Sequence, residues 1–174
     1  LVDTNGAIAF DIDSGLIAYH KNGAWYKFSD NTDISAGVIT GLMFSVKTDN
    51  VGTSSDTSFT LPLVTGQTYN FVVEWGDGSQ DTITSDTPVT HDYTSAGTYD
   101  IIITGDCPGI IFNNGGDKEK LVEVTDMSDL SYGSDATGAF LGCNKVLFES
   151  GLTPPDTSAT TIFRWFFKDC DLMV

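Results

Sequence analysis

The stretch Tyr69-Asn70-Phe71-Val72-Val73-Glu74-Trp75-Gly76-Asp77-Gly78-Ser79 decides the fold class. Tyr69, Phe71, Val73 and Trp75 alternate with Asn70, Val72 and Glu74, the period of a strand with one buried face. Gly76-Asp77-Gly78-Ser79 ends that run with residues that tolerate positive φ, so a tight turn follows the strand. Outward from this stretch, Met43, Phe44 and Val46 begin an earlier strand, and Phe59, Leu61 and Leu63 alternate cleanly. Downstream, Thr82-Ile83-Thr84, Val89-Thr90-His91 and Thr98-Tyr99-Asp100-Ile101-Ile102-Ile103 predict three more strands. Short strands at this spacing predict a β-sandwich of roughly a hundred residues or fewer.

Composition agrees with an all-β reading. Of 174 residues 18 are Gly, and Thr, Ser, Asp and Asn crowd the gaps between short apolar runs. Eight basic against 24 acidic residues give a formal net charge of −16. That balance argues against nucleic acid, which needs clustered Lys and Arg, and against docking on an anionic membrane. It suits a soluble protein in a salty exterior. There is no apolar run of membrane-spanning length and no signal-peptide pattern. The sequence opens on Leu1 rather than Met and stops at Val174 without a polar cap, so it reads as a piece of a longer polypeptide. The three cysteines, Cys107, Cys143 and Cys170, form no CxxC pair, and their odd number disfavours a complete disulfide framework. They read as small buried hydrophobes.

The flanks differ from the centre. Gly6 to Asp11, Leu16 to His20 and Ala24 to Phe28 are three short strands separated by Asp13-Ser14-Gly15 and Lys21-Asn22-Gly23 turns. This predicts a small N-terminal β-meander over residues 1–35, of the kind that packs on a neighbour or on copies of itself. Trp25 and Tyr26 in its third strand are candidates for an interface, Trp25 being equally readable as core. Ser29 to Gly41 is polar and reads as a linker. Residues 36–105 hold the sandwich. Over residues 106–174, Gly109 to Asp117 predicts a short apolar strand ending in a loop, and Leu121-Val122-Glu123-Val124 another strand. There Phe140-Leu141-Gly142-Cys143 is echoed by Phe167-Lys168-Asp169-Cys170, with Phe140 to Phe167 and Cys143 to Cys170 both 27 residues apart. A fixed period in this range marks a solenoid, in which Cys143 and Cys170 stack on adjacent coils, as a reduced ladder in preference to the disulfide that such stacking leaves open. Phe166 and Phe167 are expected inside.

No catalytic constellation is legible. The two histidines, His20 and His91, are far apart, and there is no zinc-protease, P-loop, serine-hydrolase or dinucleotide motif. Calcium is the remaining chemical option, since it takes carboxylate and carbonyl oxygens. Asp77 and Asp81 flank a Gly-Ser turn, and Asp49 and Asp56 bracket a Gly/Ser/Thr loop, although neither pair fits the twelve-residue calcium loop. The preferred reading is that Asp77 bonds its own turn. His91 is expected to be a structural hydrogen-bonding residue.

Three motifs in order carry a resemblance. Val73-Glu74-Trp75-Gly76-Asp77-Gly78-Ser79, then His91-Asp92-Tyr93, then Gly97-Thr98-Tyr99-Asp100-Ile101, resemble the PKD (polycystic kidney disease) domain. That resemblance implies an immunoglobulin-like sandwich in which Trp75, Gly76, Asp77, Gly78, His91, Tyr93, Gly97 and Tyr99 are structural. Glu74 departs from the family pattern, which has an aromatic or Asp there. Asp156-Thr157-Ser158-Ala159-Thr160-Thr161-Ile162-Phe163-Arg164-Trp165-Phe166-Phe167-Lys168-Asp169-Cys170 resembles the BspA-type leucine-rich-repeat-like surface repeats. Phe140, Cys143, Phe167 and Cys170 are the repeat positions, and more repeats are expected beyond Val174. The N-terminal Gly6-Ala7-Ile8-Ala9-Phe10-Asp11 and Asn22-Gly23-Ala24-Trp25 are similar to a short motif of phage tail-fibre and other virion proteins.

Taken together, the resemblances imply a non-enzymatic structural protein of a bacteriophage virion surface, a tail fibre or head decoration with spacer and adhesion roles. Its expected partners are other virion proteins, copies of itself as a homo-oligomer such as a trimer, and a host-surface glycan or protein. No cofactor is expected beyond the calcium option. The alternatives are a bacterial cell-surface adhesin and an accessory module of a secreted hydrolase. These functional readings rest on modular analogy.

Overall fold

The computed structural model describes residues 8–11, 16–21, 24–27 and 41–170, the first three of these as backbone pairing only. It divides into two compact units, Leu1–Ile39 and Thr40–Val174.

In the first unit β1 (Ile8–Asp11), β2 (Leu16–Lys21) and β3 (Ala24–Lys27) form a three-stranded antiparallel sheet in sequence order. Trp25 pairs with His20 and Tyr26 with Tyr19 in its register. The interface role expected of Trp25 and Tyr26 depends on side chains outside the described residues.

The second unit is built on eight strands. They are β4 (Leu42–Lys47), β5 (Ser58–Leu61), β6 (Asn70–Glu74), β7 (Gln80–Ile83), β8 (Val89–Asp92), β9 (Thr98–Asp106), β10 (Leu121–Met127) and β11 (Leu147–Phe148). Six of them form one mixed sheet in the order β11-β10-β4-β9-β6-β7, and β5 pairs with β8 in a separate ribbon. Every contact in the large sheet is antiparallel except β10 with β11, which is parallel.

Alternation puts one face of this sheet inside. Phe71 and Val73 are buried on β6 while Asn70 and Glu74 are exposed, as the period predicts. Leu42, Phe44 and Val46 of β4 and Ile101 and Ile103 of β9 join them. Phe59 and Leu61 of the β5–β8 ribbon cover that face, with the Phe59 ring 6.1 Å from that of Phe44. Burying large apolar side chains of this kind contributes about 1.5–3 kcal/mol each. β10 breaks strict alternation through two register irregularities, which bring Val124, Asp126 and Met127 inside on one strand. Sheet and core therefore run without a break from residues before position 105 to residues after it.

Beyond β9, apart from β10 and the short β11, the chain winds in coils rather than strands. Gly109 to Asp117, expected as a short strand ending in a loop, makes only an isolated bridge at Ile110 with Leu63 before it turns at Asn113 and Asn114, which have φ of 46° and 60°. Asn tolerates this left-handed region better than other non-glycine residues, so an Asn-Asn pair is where an apolar run can bend. Single parallel bridges stack the coils: Cys107 with Leu130, Ser131 with Asp156 and Asp135 with Ile162. The N–H groups of Ala136, Gly138, Phe140 and Gly142 donate to the carbonyls of Ile162, Arg164, Phe166 and Lys168, each 26 residues on. Phe140 and Phe167 stack with centroids 5.8 Å apart, so side chains follow the 27-residue echo and backbone bonds run one position short of it.

Candidate functional site

Two clusters gather the polar side chains that chemistry would need. The first follows β6. Gly76 turns with φ +83°, and a Cβ there would lie 2.5 Å from the Asp100 carbonyl oxygen, so only glycine fits against β9. This turn brings Asp77 back over β8. The Ser79 N–H donates to Asp77 Oδ1 at 2.9 Å, the Asx turn expected for this sequence, and the Ser79 hydroxyl donates to the same oxygen. Asp77 Oδ2 lies 3.0 Å from His91 Nε2. The Ser79 hydroxyl, and, against some burial, His91 and the Ser79 amide, hold the Asp77 carboxyl down at about 2.

Aromatic rings continue the cluster inward. His91 lies flat on Trp75, centroids 4.7 Å apart and planes 3° from parallel. Tyr93 meets His91 edge-on and stacks on Tyr99 at 3.8 Å. The Tyr93 hydroxyl donates to the Trp75 carbonyl at 3.1 Å, and the Tyr99 hydroxyl to the Ser95 carbonyl at 2.8 Å. Burial drives the Tyr93 phenol far above its ordinary range. Gly97 lies against the Tyr99 ring and accepts, through its carbonyl, the Thr48 amide. Trp75, Asp77, His91, Tyr93, Gly97 and Tyr99 thus come together in one corner, with Gly76 and Gly78 supplying its positive-φ turn.

Ser79, His91 and Asp77 have the composition of a hydrolytic triad but not its wiring. A catalytic histidine uses one ring nitrogen for the carboxylate and the other for the nucleophile. Here Nε2 faces both Asp77 and, at 3.4 Å, Ser79 Oγ, and the Ser79 proton already belongs to Asp77. The arrangement closes a turn.

Asp81 points elsewhere: its Oδ2 accepts the Trp75 indole N–H at 2.8 Å. The two calcium candidates, Asp77 and Asp81, are each engaged with different neighbours. Among the described residues no group of three or more His, Cys, Asp or Glu side chains converges as metal ligands would.

The second cluster was not legible in the sequence. Asp117 and Lys120, 1% and 0% exposed, organise the Gly/Ser/Thr loop that Asp49 and Asp56 bracket. Asp117 accepts the N–H groups of Thr53 (2.8 Å), Ser54 (3.0 Å) and Thr60 (2.7 Å), and the Ser54 hydroxyl at 2.7 Å. Lys120 Nζ donates to the carbonyls of Ser55 (2.6 Å) and Ser58 (2.9 Å) and to Ser54 Oγ (2.7 Å). A loop that reads as a place for a metal ion therefore folds its carbonyls around an ammonium of the chain itself. Burial pushes the Asp117 carboxyl up. The Ser54 and Thr60 donors and the Lys120 charge outweigh it, so the carboxyl stays below its ordinary value. The Asp49 side chain is paired with Lys47.

Cys107 and Cys143 are buried free thiols, and Cys170 is half-buried with its Sγ 3.0 Å from the Phe140 carbonyl. Burial raises Cys107 to about 12, so neither it nor the similarly raised Cys143 supplies a thiolate. Phe166 is buried and Phe167 packs on the core as expected, both in a turn. Trp165 in the same turn is 54% exposed.

No family model, no curated protein and no solved structure matches the chain.

Proposed function

We propose that the chain is a structural surface protein of a bacteriophage virion, a tail fibre or head decoration that acts as spacer and adhesin without catalysis. In this reading residues 1–35 anchor or oligomerise the chain. Residues 36–105 form a PKD-like, immunoglobulin-like sandwich, and residues 106–174 begin an LRR-like stack that faces outward. The observation that carries it is how the reactive-looking groups are spent. Asp77, Ser79 and His91 close one turn, and Asp117 and Lys120 close one loop. Such internal satisfaction rigidifies a scaffold. The ring order Trp75, His91, Tyr93, Tyr99 gives the PKD-like motifs a shared structural purpose. Exposed Phe163 and Trp165 give the coils an adhesive edge.

The test is immunogold labelling of a preparation holding both particles and host cells. Gold on virions is expected, and its position separates head decoration from tail fibre. Gold confined to cell envelopes would replace this reading with that of a bacterial adhesin. Light scattering on the intact chain tests the oligomer, for which a trimer is expected, and a monomer at micromolar concentration would remove that part.

A further inference from the structure

Lys120 is a wholly buried cation, and its surroundings are built to hold it. The Lys47 N–H donates to the Lys120 carbonyl at 2.8 Å, and the Lys120 N–H donates to the Asp117 carbonyl at 2.9 Å, so the root of the side chain is fixed. The stem passes against Gly52, where a Cβ would lie 2.6 Å from Lys120 Cε and 2.5 Å from Asp117 Oδ1. Glycine is needed there for room. At the end of the stem the ammonium meets the Ser55 carbonyl at 2.6 Å, Ser54 Oγ at 2.7 Å and the Ser58 carbonyl at 2.9 Å, with the Ser54 carbonyl at 3.3 Å. The three nearest oxygens match the three N–H bonds of an ammonium. The Ser54 hydroxyl accepts from Lys120 and donates to Asp117 Oδ2 at 2.7 Å, which joins the charge to its counter-charge.

We propose that Ser54, Ser55 and Ser58 form a cation site selective for a primary ammonium. Lys120 is its resident ion, and the site takes a free alkylammonium ion when Lys120 is cut back. Calcium gathers six to eight oxygens at about 2.3–2.6 Å, several of them carboxylate. This cage offers uncharged oxygens, the nearest at 2.6–2.9 Å, the spacing of charge-assisted N–H···O bonds. Both Asp117 oxygens are committed to Ser and Thr donors. Of the other carboxylates at this loop, Asp49 pairs with Lys47 and Asp56 is exposed. One positive charge therefore balances the one buried carboxylate, whereas a divalent ion would bury an excess charge. Direction adds to size: each N–H of an ammonium finds its own oxygen, an advantage that a bare sodium ion lacks.

The probe is n-propylammonium, which supplies the three carbons and the ammonium that Lys120→Ala removes. The full chain carrying Lys120→Ala is melted in n-propylammonium chloride and in sodium chloride of equal ionic strength. A saturable rise in the thermal midpoint is expected, about 3–6 °C at tenfold excess over the dissociation constant. The parent, whose site is filled, should not respond, nor should Lys120→Met, whose side chain occupies the place of the stem. n-Propanol, which has the shape without the charge, and calcium chloride should not raise the midpoint of Lys120→Ala. An equal rise with sodium, calcium or n-propanol would overturn the proposal, as would an equal response of the parent. If Lys120→Ala is unfolded in sodium chloride, the same titration is read as recovery of the parent's tryptophan emission, and no recovery at any concentration counts against the site. The parent gives a second reading. Its lysine side-chain ¹⁵N spectrum should show one ammonium whose protons exchange slowly at neutral pH, a signal lost in Lys120→Met. Absence of that signal from the parent would remove the resident ion.

Discussion

Asp77 and Asp117 do similar work in opposite surroundings. Each carboxylate gathers the donors of a Ser-containing turn, and each is held below the ordinary carboxylate range. Asp77 lies near the surface, its side chain 23% exposed, bonded to one short turn and His91. Asp117 is 1% exposed and joins two stretches nearly sixty residues or more away in sequence, Thr53-Ser54 and Thr60. The difference teaches where stability resides. A surface Asx turn can exchange its partners for water, whereas a buried carboxylate and ammonium have no such substitute. The loop that looks decorative in sequence is therefore the more tightly specified of the two.

The sharpest way to break this comparison is Lys120→Ala. Removing one partner of a buried charged group leaves Asp117 and the Ser55 and Ser58 carbonyls without the ammonium, at a cost of about 3–5 kcal/mol. Urea unfolding followed by Trp75 emission measures it. A loss below about 1 kcal/mol would mean that water fills the ammonium's place and that burial is not the deciding variable. Asp117→Asn comes next. It keeps the shape but turns an acceptor of five donors into a group with two N–H of its own, and should cost about 2 kcal/mol. The same measurement checks it, and Lys120→Ala combined with Asp117→Asn should cost less than the separate losses added.

Asp77→Ala should cost about 1 kcal/mol, the scale of a lost cap, and it carries a pH signature. The folded-state value near 2 lies below the ordinary 3.8, so Asp77 stabilises the fold above about pH 4. That contribution fades as the pH falls from about 4 towards 2. Acid unfolding of the parent and of Asp77→Ala should therefore converge in this window, while parallel curves would show that Asp77 is not the titrating group.

How much of this was legible follows from the range of the contacts. The strand run from Tyr69 to Trp75, its turn and the partners Asp77, Ser79, His91 and Tyr93 fall within 25 residues, and each obeys a local rule: alternation, a glycine turn, ring stacking. The 27-residue echo of Phe140 and Phe167 was equally visible and is realised as ring stacking. What local rules missed was nonlocal. Asp117 and Lys120 occupy a charged stretch, Asp117-Lys118-Glu119-Lys120, that reads as solvated surface, and only the pairing of β10 with β4 carries it inside. The Asn113-Asn114 bend was hidden for another reason: apolar content in Gly109 to Phe112 suits a strand, and the turn is decided by two residues whose side chains merely tolerate positive φ.

The smallest expected effects complete the series. Asp135 and Asp156 each accept an N–H two residues on, from Thr137 and Ser158, at the same 2.8 Å, and both belong to the coil stack. They repeat the Asp77 turn with the histidine and the shielding removed. Both carboxyls are still held low, Asp135 chiefly by the Thr137 hydroxyl and Asp156 chiefly by the Ser158 amide. If burial sets the value of such a turn, Asp135→Ala and Asp156→Ala should each lower the thermal midpoint by less than Asp77→Ala does. A midpoint loss as large as that of Asp117→Asn would point to another cause: these turns would be fixing the register between coils, and ladder geometry rather than burial would rank the four aspartates.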